Sequence, residues 1–284
     1  MRNNTSPKLA SSIIELAIVV AIISILISLV ISANKILESS NLTVARTITS
    51  SAPVPEIDGL VLWLETTMEQ SFDNLEADDG QAITTWHDLS QEYNDAAANG
   101  NPTYVADVIN ELPVVNFDGD DFMTLANASN LGVANSDYEF FIVYQSDSNT
   151  SQSLIMGSTQ MHYEVLINNT YDVRFVPNGG ESGARIADIS PVNFDITSPH
   201  IISARVEVST ARIRVDGNEG ITPDTVNAAV SSQTTDLWIG KRSGETDFLN
   251  GNIAEIIIYN RAVTDFERQD IEQYLSKKWG IDLS

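Results

Sequence analysis

Three aspartates crowd one short stretch, FDGDD at residues 117–121, where Asp118, Asp120 and Asp121 surround Gly119. Carboxylates gathered on a loop offer hard oxygen donors, and hard oxygen suits calcium, which takes roughly six to eight such ligands. Calcium at Asp118, Asp120 and Asp121 is therefore the one cofactor expectation. The spacing is not that of an EF-hand, and the same residues are ordinary turn formers between strands, which is the plainer account of them. A second acidic turn, LEADDG with Asp78 and Asp79, has less claim to a metal.

Other side chains bound the chemistry further. The chain of 284 residues has no cysteine, which excludes a thiol nucleophile, a disulfide framework and cysteine-ligated zinc. His87, His162 and His200 stand apart from any serine or acid that a motif would tie to them, so packed or surface roles are expected. His162, Tyr163 and Arg174 are the residue types of a lyase, without positive support from their pattern. A formal charge of −24 repels phosphate backbones, and nucleic acid is not an expected partner.

Glu15 is the remaining reactive group, and its setting is unusual. It is the only charge near the start of a long apolar run, and the 21 residues 13–33, at about 1.5 Å each, would span roughly 30 Å, the thickness of a bilayer core. Ser24, Ser28 and Ser32 recur every fourth residue, a stripe on which hydroxyls back-bond to carbonyls and small side chains admit a neighbouring helix. Arg2 and Lys8 precede the run, so the positive-inside rule places the N-terminus in the cytoplasm and the rest of the chain across the membrane.

KLA-SSIIEL followed by that helix resembles the class III signal of type IV pilins and of the pseudopilins of type II secretion. The resemblance implies a leader at 1–10, cleavage by a prepilin peptidase between Ala10 and Ser11, methylation of the new amine, and Glu15 as an assembly residue. In a fibre, the Glu15 carboxylate would pair with the charged N-terminus of an adjacent pilin or pseudopilin subunit. Ala10 stands where glycine is preferred and Ser11 where phenylalanine is common.

Segment 11–50 is then a transmembrane and amphipathic helix, and 51–58, with Pro53 and Pro55, is a linker. From Gly59 the pattern turns to short alternating or wholly apolar runs, LVLWLE through NIAEIIIYN, divided by Gly, Asn, Asp and Pro. About a dozen such runs predict an all-β, two-sheet sandwich over 59–284. One helix closes it: Thr264 and Glu267 form a capping box, Phe266, Ile271, Tyr274 and Leu275 are expected on one face, and Gly280 terminates.

GLVLWLE, ITTWHDLSQEYNDAA, INELPVVNFDGDD, LWIGKR and GNIAEIIIYNRAVTDFERQDIEQYLSKKWGI resemble the bacterial LamG-like domains of the concanavalin A-like lectin and glucanase superfamily. That resemblance implies an antiparallel jelly roll with a glycan or protein ligand; Trp63, Trp86, Trp238 and Trp279 are of a type that stacks on sugars, but their family-typical positions place them in the core. Retaining glucanases of the superfamily carry E-x-D-x-x-E on one strand, whose alternation points the carboxylates into one cleft. Here Glu76-Ala77-Asp78 is followed by Gln81 in a turn-like segment, and the expectation is a non-enzyme. The combined reading is a bacterial inner-membrane, pilin-like protein that displays a lectin-like binding domain in the periplasm or on an extracellular fibre, for adhesion or recognition. The alternatives are a glycoside hydrolase or lyase of the superfamily, and a monomeric anchored lectin.

Overall fold

The computed structural model describes residues 8–284 except 74, 134–136, 149, 158–162, 168–172, 178–186, 190–194, 209, 221–223, 226–235 and 243–246. Its first element is a single helix, α1 (Lys8–Ser50), whose 43 residues contain neither proline nor glycine to interrupt it. Residues 14–30 are exposed all round, Glu15 included. The serine stripe behaves as its spacing predicts: Ser24, Ser28 and Ser32 donate to the carbonyls of Val20, Ser24 and Ser28 at 2.8, 2.9 and 2.8 Å. Among the described residues no helix is long and apolar enough to cross a membrane. The expected transmembrane span is therefore not shown, although the helix itself is continuous.

Two compact units divide the chain, Met1–Val44 and Ala45–Ser284. The second begins ahead of the boundary expected at the 51–58 linker, and the reason is packing. Ala45, Ala52, Val54 and Ile57 are buried, Arg46 Nε donates to the Thr67 carbonyl at 2.7 Å, and Tyr259 OH donates to the Val54 carbonyl at 2.9 Å.

In chain order the strands of that unit are β1 (Leu60–Glu65), β2 (Gln81–Ala82), β3 (Thr85–Trp86), β4 (Ala96–Asn99), β5 (Thr103–Ile109) and β6 (Leu112–Asp118). There follow β7 (Phe122–Ala126), β8 (Tyr138–Ser146), β9 (Gln152–Gly157), β10 (Tyr163–Ile167), β11 (Val173–Pro177) and β12 (Ala187–Ile189). The last are β13 (His200–Glu207), β14 (Thr210–Val215), β15 (Asn218–Glu219), β16 (Asp224–Thr225), β17 (Asp236–Ile239) and β18 (Asn250–Tyr259). One sheet runs β15-β14-β13-β8-β18-β6-β5-β2, with β1 also on β18 and β16 on β14. The other runs β12-β11-β10-β9-β17-β7-β4-β3.

Alternation along the strands builds the core. Phe140, Ile142, Val165, Phe175, Leu237 and Ile256 lie among the residues packed between the sheets. The opposite face of the first sheet, with Trp63, Phe141, Val143 and Ile257, packs on α2 (Asp265–Trp279) and on the last turn of α1. The capping box on Thr264 and the left-handed Gly280 cap are present as expected. Phe266 departs from expectation: it is 81% exposed, because Ile271 and Leu275, five and nine residues on, face the opposite side of the helix.

Beneath α2 lies a buried ionic cluster. Lys278 donates to Glu65 Oε2 at 2.6 Å and Glu255 Oε2 at 3.0 Å, and the side chains of all three residues are wholly buried. Glu255 accepts in addition from the indoles of Trp63 and Trp279 and from Tyr274 OH. Burial drives the Glu65 carboxyl up, but the Lys278 ammonium and the Thr67 donors outweigh it and hold the group below its ordinary value.

Candidate metal and ligand site

The strand β6 ends at Asp118, and Gly119, at φ +102°, turns the chain so that β7 begins three residues later at Phe122. This tight reversal brings one carboxylate oxygen from each of Asp118, Asp120 and Asp121 within 4.8 Å of the others. The sequence-predicted metal candidates are thus brought together. Asp118 and Asp120 are exposed, whereas Asp121 is 1% exposed and its Oδ1 has no hydrogen-bond partner. Burial, and then the charge of Asp118, push the Asp121 carboxyl up to about 6, with Asp120 adding to the shift. Gly100 backs the cluster at φ +89°, and a Cβ there would lie 2.6 Å from Asp121 Cβ.

Three negative charges gathered around a buried, unpartnered oxygen fit a hard divalent cation. Calcium would be held by the carboxylates of Asp118, Asp120 and Asp121, and would supply the positive charge that the folded loop lacks.

Beside this loop is an aromatic patch; of its residues the sequence offers only Trp238 for sugar stacking, and sets it in the core. Alternation along β17 sends Leu237 and Ile239 into the core and Trp238 to the outer face, where it is opposite Thr124. Trp63, Trp86 and Trp279 are buried as expected, and Trp238 corrects that expectation. Half-buried Trp238, Phe122 and Phe248 group together, with ring centroids 6.5 Å (Phe122–Trp238) and 6.2 Å (Phe122–Phe248) apart. The Lys241 ammonium sits 4.2, 5.0 and 5.6 Å from the centroids of Phe122, Trp238 and Phe248. On the β4 side, Asn99 Nδ2 donates to Thr124 Oγ1 at 2.9 Å, leaving a polar margin to the patch.

Other candidates are dispersed. Half-buried His87 bridges Asp73 and Asp95 at 3.2 Å each; burial lowers its pKa, and the two aspartate contacts reverse this and raise it. His200 is held between Asp216 Oδ2 at 2.7 Å and the Asp195 carbonyl at 2.9 Å. Tyr163 is in the core, Arg174 is half-buried on β11, and His162 lies outside the described residues. Glu76 accepts from Thr84 Oγ1 at 2.6 Å in a turn. Ala10 and Ser11 fall within α1, with their side chains outside the described set.

Two packed antiparallel sheets with strands contributed in this crossing order define a lectin-type sandwich. The chain belongs to the concanavalin A-like lectin/glucanases superfamily, whose laminin G-type family model matches residues 117–267, more than half of its length. No curated protein matches it in sequence. Among solved structures, Trypanosoma rangeli sialidase with the inhibitor DANA aligns at a TM-score of 0.55 and 14% identity, over 79% of this chain and 34% of that one. The same sialidase with sialic acid gives 0.56 and 14%, over 81% and 35%. The binding domain of botulinum neurotoxin DC in complex with SialylT gives 0.56 and 11%, over 77% and 52%. The chain therefore spans about a third of the sialidase and half of the neurotoxin chain.

These likenesses overturn the expectation of a non-enzyme. Sialidases are enzymes, and they share this fold with a binding domain, so a missing glucanase motif does not separate catalysis from binding. At such identity the likeness shows the fold alone.

Proposed function

We propose that this protein displays a calcium-dependent, lectin-like glycan-binding domain from a pilin-like membrane anchor. The observation that carries the reading is Asp121, a buried carboxylate with an unpartnered oxygen inside a three-carboxylate cluster, beside an aromatic patch on the sheet surface. The neighbours in complex with sialic acid and SialylT support a glycan as the ligand class. Calcium binding only the folded state would raise its melting temperature by mass action. The test is a melting curve in calcium, magnesium and chelator, repeated on Asp120→Ala and Asp121→Ala. A calcium-specific rise abolished by either substitution supports the site, and an equal response to both ions refutes it.

The anchor is proposed on the exposed apolar stretch of α1, its serine stripe and Glu15. The assignment comprises prepilin peptidase cleavage before Ser11, methylation of the new amine, pairing of Glu15 with a neighbouring pilin or pseudopilin subunit, and a bacterial inner-membrane position with a cytoplasmic N-terminus. N-terminal sequencing of the mature protein should begin at Ser11. Recovery of Met1 or Arg2 would reduce the segment to a plain signal anchor. The sialidase likeness favours a second reading, a glycan-cleaving enzyme, and release of free sugar from sialylated or polymeric substrates would establish it.

A further inference from the structure

We infer that the patch formed by Trp238, Phe122, Phe248 and Lys241 is a subsite for a carboxylate-bearing sugar, and that its occupancy is coupled to calcium at the neighbouring aspartates. The inference rests on the glycan-binding reading above and names the class of glycan. Lys241 is only 7% exposed, and among the described residues its ammonium meets aromatic rings but neither a carboxylate nor a hydrogen-bond acceptor. A side chain this covered leaves its ammonium only a narrow access to water, and ring faces make up only part of the lost hydration. The buried Lys278, between Glu65 and Glu255, shows how this fold satisfies an ammonium for structural ends. Lys241 has no such arrangement.

What would complete it is an anion brought by a ligand, bound through a charge-assisted hydrogen bond to Nζ. The half-exposed rings define the rest of that ligand. Flat apolar faces beside a polar margin at Thr124 and Asn99 suit the C–H face of a pyranose and its hydroxyls. An acidic sugar presents a carboxylate and such a face together.

Asp118, Asp120 and Asp121 adjoin the patch through Phe122, and metal-free they carry three formal negative charges that repel an acidic ligand. One calcium ion would cut that to a single negative charge. Acidic-sugar affinity should therefore depend on calcium, and by linkage the sugar should tighten calcium by the same factor.

The test uses the full chain in detergent micelles and paired probes: trigalacturonate against its carboxyl-reduced galactose trimer, and 3′-sialyllactose against lactose. In calcium, the acidic member of at least one pair should bind about tenfold more tightly than its neutral partner. Lys241→Met should remove that preference, Lys241→Arg should keep it, and chelator should weaken the acidic member more than the neutral one. Equal affinity within both pairs overturns the inference without variants and leaves the glycan reading standing. So does a preference that survives Lys241→Met in protein whose melting temperature is unchanged, or binding to neutral glycans alone. If none of these probes nor any member of a broad glycan array binds, the glycan reading falls with it.

Discussion

Asp121 ties the acidic loop to measurable pH behaviour. A carboxyl whose folded pKa lies above its unfolded value opposes folding when ionised, so in metal-free protein this group removes stability as pH rises through about 6. Calcium competes with the same proton. Its effect on melting temperature should be full above pH 6 and shrink as pH falls through that value. Asp121→Asn, which cannot titrate there, should flatten both trends; identical profiles for the two proteins would dissociate the aspartate from the effect. The three aspartates were legible because carboxylates around a glycine between apolar runs declare a loop. Trp238 and Lys241 were not. In LWIGK every residue but the glycine and lysine is apolar, so composition does not say which face of the strand the indole takes, and the cage arises from partners more than a hundred residues apart in the chain.

Elements were readable where periodicity was clean. The strands β6, β8, β13 and β18 coincide with apolar runs, and α2 announces itself through Thr264, Glu267 and Gly280. Reading failed where geometry departs from the period of two. β5 carries Asp107 at φ +60° and a register shift between Val105 and Ile109, which spoil its alternation. The end of α1 is expected as an amphipathic continuation of the helix ahead of a boundary at 51–58, yet Ala45 and Thr49 are buried in the sandwich unit, a role that small residues do not signal. α2 is fastened through Lys278, and Lys278→Met would leave Glu65 and Glu255 buried without their cation. Chemical denaturation should report a loss of about 3–5 kcal/mol. A loss under about 1 kcal/mol would mean that the carboxylates are satisfied without the lysine.

For the whole molecule, a strongly acidic sandwich brings a lysine set among aromatic rings next to three aspartates, and that place is the centre of the proposed activity. The all-β architecture could be read in advance because alternation and turn chemistry act locally. Ligand choice could not, because it depends on which side chains the crossing order of the strands places side by side. The most direct measurement is binding of the full chain to a glycan array in calcium and again in chelator, with Asp121→Asn alongside. The account predicts glycan signals in calcium, strongest on acidic sugars, that chelator and the substitution both weaken, the acidic ones most. Signals of equal strength in all three conditions, or none in calcium, would contradict it.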